Sequence, residues 1–233
     1  MIKKIPSLYL CGDSTMADNF ADTYPQTGWG QVLPRFFSSG VLIENHAING
    51  RSSKSFLKEG RLKPVAEKIK SGDYLFIQFG HNDEKPDEAR KTDPRTSYKE
   101  CLFHFIQSAR AVNAIPVLIT SIHRRKFDDE NKIINSHAPY HIAMKELSEK
   151  ENVILLELGE KSRELIESLG PDKSKKLFMN FKENIHPNFP LGSTDDTHLT
   201  EEGAVAIARC AVEEIRLKIP ALAAYIAERA PSA

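Results

Sequence analysis

This sequence of 233 residues has few cysteines, no net charge and no long apolar run. Its three cysteines are far apart in the chain and form no Cys-x-x-Cys pair, which excludes a zinc knuckle or a disulfide framework and favours a reducing compartment. Because 32 basic residues balance 32 acidic ones, no overall positive field would attract nucleic acid or an anionic membrane. No apolar stretch approaches the roughly 18 residues of a membrane span. We therefore expect neither nucleic-acid nor membrane partners.

The N-terminus begins like the basic segment of a signal peptide, with Met1-Ile2-Lys3-Lys4. The apolar stretch after it is short and contains Pro6, and it continues into Gly12-Asp13-Ser14 without a small-residue cleavage site. We therefore expect a cytoplasmic protein, or a secreted one if a leader preceded this sequence. The sequence predicts no particular oligomeric state.

Short apolar runs alternate with segments of helical character along the chain. The predicted strands span residues 6–11, 41–46, 74–79, 115–120 and 153–158, and several are apolar almost throughout, which is typical of strands buried on both faces. Helices are predicted over 30–37, 62–70, 96–112 and 137–150, and a final helix follows Thr200 as its N-cap. This alternation predicts an α/β fold in one domain over residues 1–233, a doubly wound parallel sheet with helices on both faces. Residues 123–136 and 171–196 are expected to be irregular.

Ser14 stands on the turn after the first predicted strand. Its hydroxyl would lie at the carboxyl edge of the sheet, where the dipole of a following helix could assist it. The alternative is that Ser14 is a helix N-cap, which is common for a serine at such a position. A serine nucleophile needs a base, and that base needs an orienting acid. His198 is the candidate base because Asp195 precedes it by three residues, and Asp196 is a less favourable partner. The alternative is a surface histidine beside a loop aspartate.

Two further segments could supply hydrogen-bond donors to an oxyanion. Gly50 follows the second predicted strand in Asn49-Gly50-Arg51, and Asn82 follows the third in Gly80-His81-Asn82-Asp83. Each alone is ordinary turn chemistry. Their placement at neighbouring strand ends, together with Ser14 and His198, indicates an acyl-transfer site.

These segments resemble, in chain order, the four sequence blocks of the SGNH (GDSL-type) hydrolases: Gly12-Asp13-Ser14, Gly50, Gly80-His81-Asn82-Asp83 and Asp195-x-x-His198. Within that superfamily, four longer segments are similar to rhamnogalacturonan acetylesterases: Gly12-Asp13-Ser14-Thr15-Met16, Gly28-Trp29-Gly30-Gln31, Asn49-Gly50-Arg51-Ser52-Ser53 and Gln78-Phe79-Gly80-His81-Asn82-Asp83. The resemblance implies a three-layer α/β/α, flavodoxin-like fold with five parallel strands. It also implies a serine carbohydrate esterase that needs no cofactor and removes acetyl groups from pectin-derived, rhamnogalacturonan-type oligosaccharides.

The resemblance assigns roles to individual residues. Ser14 would be the nucleophile, His198 the general base and Asp195 its orienting acid. The backbone N–H groups of Ser14 and Gly50, together with the side-chain amide of Asn82, would form the oxyanion hole. Other SGNH activities stay open, namely an acetylxylan esterase, a thioesterase or a lipase, as does a catalytically silent carbohydrate-binding relative.

Three further residues are candidates for contact with the substrate: His81, Arg124 and Arg125. Arginine suits the carboxylate of a galacturonate unit, and the alternative is a solvated basic loop. Trp29 is expected to pack in the core rather than on a sugar ring. The spacing of the histidines and aspartates near the C-terminus matches no recognised zinc motif, so no metal is expected.

Overall fold

The protein is described by a computed structural model over residues 5–228, so the basic segment Met1 to Lys4 lies outside the described residues. Five parallel strands form the central sheet: β1 (Leu8–Gly12), β2 (Ile43–Asn45), β3 (Tyr74–Gln78), β4 (Ile115–Ile119) and β5 (Ile154–Leu156). Their order across the sheet is β2-β1-β3-β4-β5. All five predicted strands and the parallel α/β fold are confirmed.

The helices lie on the two faces of this sheet. They are α1 (Trp29–Val32), α2 (Ser53–Lys58), α3 (Lys63–Lys68), α4 (Ser97–Arg110), α5 (Ala138–Glu151), α6 (Leu158–Lys173), α7 (Glu201–Lys218) and α8 (Pro220–Ala223), with 3-10 turns at Leu33–Phe36 and Ser174–Leu177. Thr200 caps α7 as predicted, because its side chain accepts a hydrogen bond from the Gly203 N–H.

Alternate side chains of each strand pack into two separate hydrophobic cores, one on each face of the sheet. In β1, Leu8 and Leu10 pack with α1, α6 and α7, whereas Tyr9 and Cys11 pack with α2 to α5. The strands are therefore apolar on both faces, which explains their nearly continuous apolar sequence. The result is the expected three-layer α/β/α arrangement.

Strand order and register bring the candidate segments together. The chain moves from β1 outward to β2 and then returns to β3 on the other side of β1, so the β1–β3 boundary is the switch point where ligands bind in such sheets. Gly12 pairs with Gln78, so the turn with Ser14 and the segment with Asn82 leave the sheet side by side.

The region 171–196 differs from the expectation of an irregular loop. It contains β6 (Phe178–Phe181) and the start of β7 (Ser193–Leu199), which pair antiparallel as a small second sheet. The sequence of β7, Ser-Thr-Asp-Asp-Thr-His-Leu, has no apolar alternation, so hydrophobic periodicity could not reveal this strand.

Two smaller expectations are wrong. No long helix follows Ser14: the chain makes one turn, in which the N–H groups of Met16 and Ala17 both donate to the Asp13 carbonyl, and the next helix begins at Trp29. Leu158 begins α6 rather than ending β5. None of the helices within residues 5–228 is long and apolar enough to cross a membrane. The single domain and the cytoplasmic location stay predictions.

Candidate active site

Ser14 lies on the tight turn that leaves β1. The carboxylate of Asp13 shapes this turn, since its Oδ1 accepts hydrogen bonds from the Thr15 N–H at 3.0 Å and from the Thr15 hydroxyl at 2.9 Å. Asp13 is fully buried, and burial raises the pKa of its carboxyl. Ser14 caps no helix, because only a single turn follows it.

The hydroxyl of Ser14 is joined to His198 and Asp195 in one hydrogen-bonded chain. The Ser14 Oγ lies 2.9 Å from His198 Nε2, and His198 Nδ1 lies 2.6 Å from Asp195 Oδ2. Imidazole nitrogens at these distances, one on a hydroxyl and the other on a carboxylate, have the arrangement of a nucleophile, a general base and an orienting acid. The structure thus brings together the three residues that the sequence nominated.

A bulge in β7 presents the acid and the base. Phe178 and Met179 are consecutive in β6, but their partners in β7 are Leu199 and Asp195, so residues 196–198 bulge out of the ladder. Asp195 folds this bulge onto itself, because its Oδ1 accepts from the N–H groups of Thr197 (2.7 Å) and His198 (3.0 Å). The same carboxylate therefore shapes the loop and orients the imidazole.

The carboxyl of Asp195 is held in its charged form. Burial by itself would raise its pKa, but the hydrogen bond and charge of His198, with the N–H groups of His198 and Thr197, lower it to about 2. Asp195 is consequently ionised at neutral pH and stabilises a proton on His198 Nδ1.

Gly50 lies in the loop after β2, close to the end of β1. The preceding Ile48 N–H donates to the Gly12 carbonyl at 3.1 Å, which ties this loop to the strand that carries Ser14. Gly50 has a φ of +76°, a left-handed conformation that favours glycine. Within residues 5–228, neither the Ser14 nor the Gly50 N–H donates to another protein group, so both are available to a ligand.

The side chain of Asn82 is fixed in orientation by two hydrogen bonds. Its Nδ2 donates to the Arg51 carbonyl at 3.3 Å, and its Oδ1 accepts from Arg90 at 3.3 Å. The amide nitrogen therefore faces the Gly50–Arg51 loop. This placement suits the predicted role in an oxyanion hole, which stays a prediction.

Asp83 anchors the segment that carries Asn82, a role that sequence reasoning missed. Its carboxylate accepts hydrogen bonds from the N–H and the hydroxyl of Ser53, at the start of α2, and from the Thr92 hydroxyl. Burial raises the pKa of Asp83 to about 7, although these hydrogen bonds oppose the shift. The sequence offered no sign of this role, because the partners Ser53 and Thr92 lie 30 and 9 residues from Asp83 in the chain.

The structure places the three predicted substrate contacts away from open solvent. His81 is 3% exposed, its Nε2 lies 3.0 Å from the Ile122 carbonyl, and burial holds its pKa well below the ordinary value. Arg125 forms an ion pair with Asp196 in the loop that carries His198, whereas Arg124 donates to Thr197 in that loop and forms its ion pair with Glu84. The two arginines are therefore not a solvated basic loop. Contact of these residues with a substrate stays a prediction.

The structure also decides which aspartate pairs with His198 and where Trp29 lies. Asp196 pairs with Arg125 and accepts from Asn180, so it is Asp195, and not Asp196, whose carboxylate bonds His198 Nδ1. Trp29 is fully buried and its Nε1 donates to Gln78 Oε1 at 2.7 Å, which confirms the expected core position.

Four histidines cluster next to Asn82: His81, His123, His137 and His141, with ring centroids 4.2 to 5.9 Å apart for the contacting pairs. Burial, followed by the charge of His137, lowers the pKa of His123 to about 4, and burial lowers that of His141 to about 3. Both imidazoles are therefore neutral at neutral pH. No group of three His, Cys, Asp or Glu side chains in residues 5–228 is arranged to hold a metal ion.

Comparison with known proteins identifies close relatives. The sequence pattern of a family described as GDSL-like lipase/acylhydrolase matches residues 8–211. The chain is 45% identical over 92% of its length to the rhamnogalacturonan acetylesterase RhgT of Bacillus subtilis, of which it covers 91%. It is 39% identical over 95% of its length to the probable rhamnogalacturonan acetylesterase YesY of the same species, of which it covers 98%.

A solved structure supports the fold assignment. The crystal structure of the Bacillus subtilis protein YxiM superposes with a TM-score of 0.79 at 28% identity, over 92% of this chain and 57% of that one. The shared architecture thus extends over nearly all of the present chain.

Proposed function

Because this chain belongs to the GDSL-like lipase and acylhydrolase family, we propose that it is a serine acetylesterase that removes acetyl groups from rhamnogalacturonan-type oligosaccharides. Its similarity to RhgT and YesY over nearly the full length of all three chains supports this substrate class. The observation that carries the catalytic part is the hydrogen-bonded chain from Ser14 through His198 to Asp195.

The first half of the reaction acylates Ser14. His198 Nε2, 2.9 Å from the Ser14 Oγ, accepts the hydroxyl proton as the oxygen attacks the acetyl carbonyl. Asp195 accepts a hydrogen bond from the Nδ1–H of His198, which leaves Nε2 as the basic nitrogen and stabilises the imidazolium that forms. His198 then gives the proton to the departing sugar hydroxyl, and an acetyl group remains on Ser14.

The negative charge that develops on the carbonyl oxygen needs donors already in position. The N–H groups of Ser14 and Gly50 have no competing acceptor within residues 5–228, and the Asn82 amide is oriented by Arg51 and Arg90. Donors held in place before the reaction stabilise the oxyanion without reorganisation, and each is worth roughly 100- to 1000-fold in rate.

The second half of the reaction releases acetate. A water molecule that donates its proton to His198 Nε2 attacks the acetyl carbonyl and expels the Ser14 oxygen, which recovers the proton. In the overall reaction, one ester and one water molecule give one alcohol and one carboxylic acid. The same imidazole serves both halves, because it returns to the neutral state after each.

A cavity beside the site offers room for a sugar ring. Its volume is about 360 Å³, and exposed rings of Phe20 and Tyr24 and the amides of Asn19, Gln26 and Gln31 line it. Asn19 accepts a hydrogen bond at 2.9 Å from Asn49, so a wall of the cavity is bonded to the residue that precedes Gly50. Aromatic faces and amides together suit a polar ring with apolar C–H faces.

The decisive experiment measures acetate release from acetylated rhamnogalacturonan oligosaccharides and from acetylated xylo-oligosaccharides. Ser14→Ala is the blank, and Ser168→Ala, an exposed serine on α6, is the matched control. We expect preferential, Ser14-dependent release from the first substrate and wild-type rates for the control. Preferential release from xylan fragments would keep the mechanism and overturn the substrate, and no Ser14-dependent release would overturn both.

An acyl-chain series on aryl esters separates the acetylesterase from a lipase. We expect a strong preference for acetyl over longer chains. A preference for long chains would favour the lipase alternative, because a lipase needs an extended apolar cleft.

A further inference from the structure

The loop that carries the acid and the base is attached to the rest of the site by two consecutive arginines. Arg124 donates to the Thr197 hydroxyl at 2.7 Å, and Thr197 lies in the bulge between Asp195 and His198. The Arg125 N–H donates to the Asp196 carbonyl at 2.8 Å, and its guanidinium donates to Asp196 Oδ1 at 2.6 Å. The loop after β4 is thus bonded to Asp196 and Thr197, the two residues between Asp195 and His198.

The other side of Arg124 is bonded to the segment that carries Asn82. Its guanidinium donates to Glu84 Oε1 at 2.7 Å, and the second oxygen of Glu84 lies 3.0 Å from His137 Nδ1. Arg124 therefore connects two segments of the site. One carries the general base His198, and the other carries the predicted oxyanion donor Asn82.

Partial burial makes this bridge stronger than an ordinary surface ion pair. The side chains of Arg124 and Glu84 are only 22% and 24% exposed. Burial alone would raise the pKa of Glu84, but the hydrogen bonds and charges of His137 and Arg124 lower it, so the carboxylate is ionised at neutral pH. Hydrogen bonds between charged groups, shielded from water, hold their geometry better than neutral ones.

The bulge in β7 depends on side-chain contacts to keep His198 in position. Residues 196–198 have no partner in β6, so no strand ladder fixes the position of His198. The Asp195 carboxylate, the two arginines and Asn180 hold the loop through hydrogen bonds to its residues. A displacement of about 1 Å at a catalytic group can cost roughly 100-fold in rate.

We propose that Arg124, held by Glu84, is a positioning residue that sets the place of His198 opposite Ser14 and does not bind a substrate carboxylate. This inference rests on the proposed esterase function, in which Ser14 and His198 act together. Both terminal nitrogens of Arg124 already donate to protein acceptors, Nη1 to Thr197 and Nη2 to Glu84, and these bonds hold the guanidinium between the two segments.

The test compares Arg124→Gln, Thr197→Val and the double variant. Aryl acetate and an acetylated, uronate-containing oligosaccharide are the two substrates. We expect each single variant to lower kcat by roughly 10- to 100-fold on both substrates, with KM changed by less than threefold. The double variant should lose no more than the worse single one, because both changes break the same bond.

Two controls accompany these variants. Arg163→Gln removes an arginine that pairs with Glu160 on the exposed surface of α6, and it should keep wild-type kcat. Arg124→Lys retains the charge but lacks the fork that reaches two acceptors, so it should recover only part of the activity. Thermal unfolding of every variant is measured in parallel.

Two results would overturn the proposal. A rise in KM confined to the uronate substrate would show that Arg124 binds the substrate, and a lower melting temperature at unchanged kcat would show a purely structural role. The measurements on aryl acetate test the role of Arg124 independently of the proposed sugar substrate, because aryl acetate contains no saccharide. A wild type inactive on aryl acetate would overturn both this inference and the esterase function.

Discussion

Replacement of Asn82 by alanine tests the oxyanion hole directly. The side chain is 7% exposed, and its amide nitrogen faces the loop of Gly50. Removing it deletes one of three donors but leaves the Ser14–His198–Asp195 chain untouched. We expect kcat to fall roughly 100- to 1000-fold, which corresponds to about 3 to 4 kcal/mol in the barrier. KM should change little, because charge develops on the oxygen only as the bond forms.

The Asn82→Ala variant is expected to stay folded under the assay conditions, so its loss of kcat can be read as a loss of transition-state stabilisation. Asn82→Ala loses two hydrogen bonds of 3.3 Å, each worth about 1 kcal/mol. For a chain of this size, a loss of about 2 kcal/mol lowers the melting temperature by about 4 to 8 °C, at about 2 to 4 °C per kcal/mol. The assays can therefore be run at 25 °C on folded protein, with kcat and KM determined on aryl acetate.

Arg90→Gln is the matched control, because Arg90 contacts only the Asn82 carbonyl oxygen among the groups of the hole. We expect a loss below tenfold from this variant, since the amide loses part of its orientation but keeps its donor. A loss below tenfold in Asn82→Ala itself would refute the reasoning and remove Asn82 from the oxyanion hole.

Three further outcomes are expected. Asp195→Asn should lower kcat by roughly 10⁴-fold, because an amide donor facing His198 Nδ1 forces the ring proton onto Nε2, where it cannot accept from serine. The pKa of His123 lies near 4 in the folded protein against an ordinary value of 6.5, so protons bind the unfolded chain more tightly. The free energy of unfolding should fall as pH drops from about 6.5 to about 4, by up to about 3 kcal/mol from this group, and His123→Leu should remove that part of the loss in denaturant titrations. Gly203→Ala should lower the melting temperature although alanine favours helices, because a Cβ there would lie 1.8 Å from the Leu177 carbonyl oxygen.

Each of these outcomes has a contrary result. Near-normal turnover in Asp195→Asn would show that the carboxylate does not select the tautomer of His198. An unchanged pH profile in His123→Leu would mean that this histidine does not oppose folding in acid. A stabilised Gly203→Ala would mean that α7 can shift away from Leu177, in which case the close approach is not required for folding.

Much of the fold follows from local patterns in the chain. The strands β1 and β3 are apolar on both faces, and a strand of that kind can only be buried between two helical layers. The hairpin of β6 and β7 could not be foreseen in this way, since β7 is polar and is ordered by its partner strand and by the side chain of Asp195.

The sequence by itself determined which chemical groups leave each strand at the carboxyl edge: Ser14 after β1, Gly50 after β2 and Asn82 after β3. It also indicated Asp195 as the partner of His198, because only two residues separate them, and the structure confirms this pair. Only the tertiary structure decided that His198 meets Ser14 across 184 residues of chain, and that Arg124 holds Thr197 and Glu84. The physical reason is that periodicity and spacing record the environment of a residue within its own element, whereas contacts between distant elements depend on how the whole sheet and its helices pack.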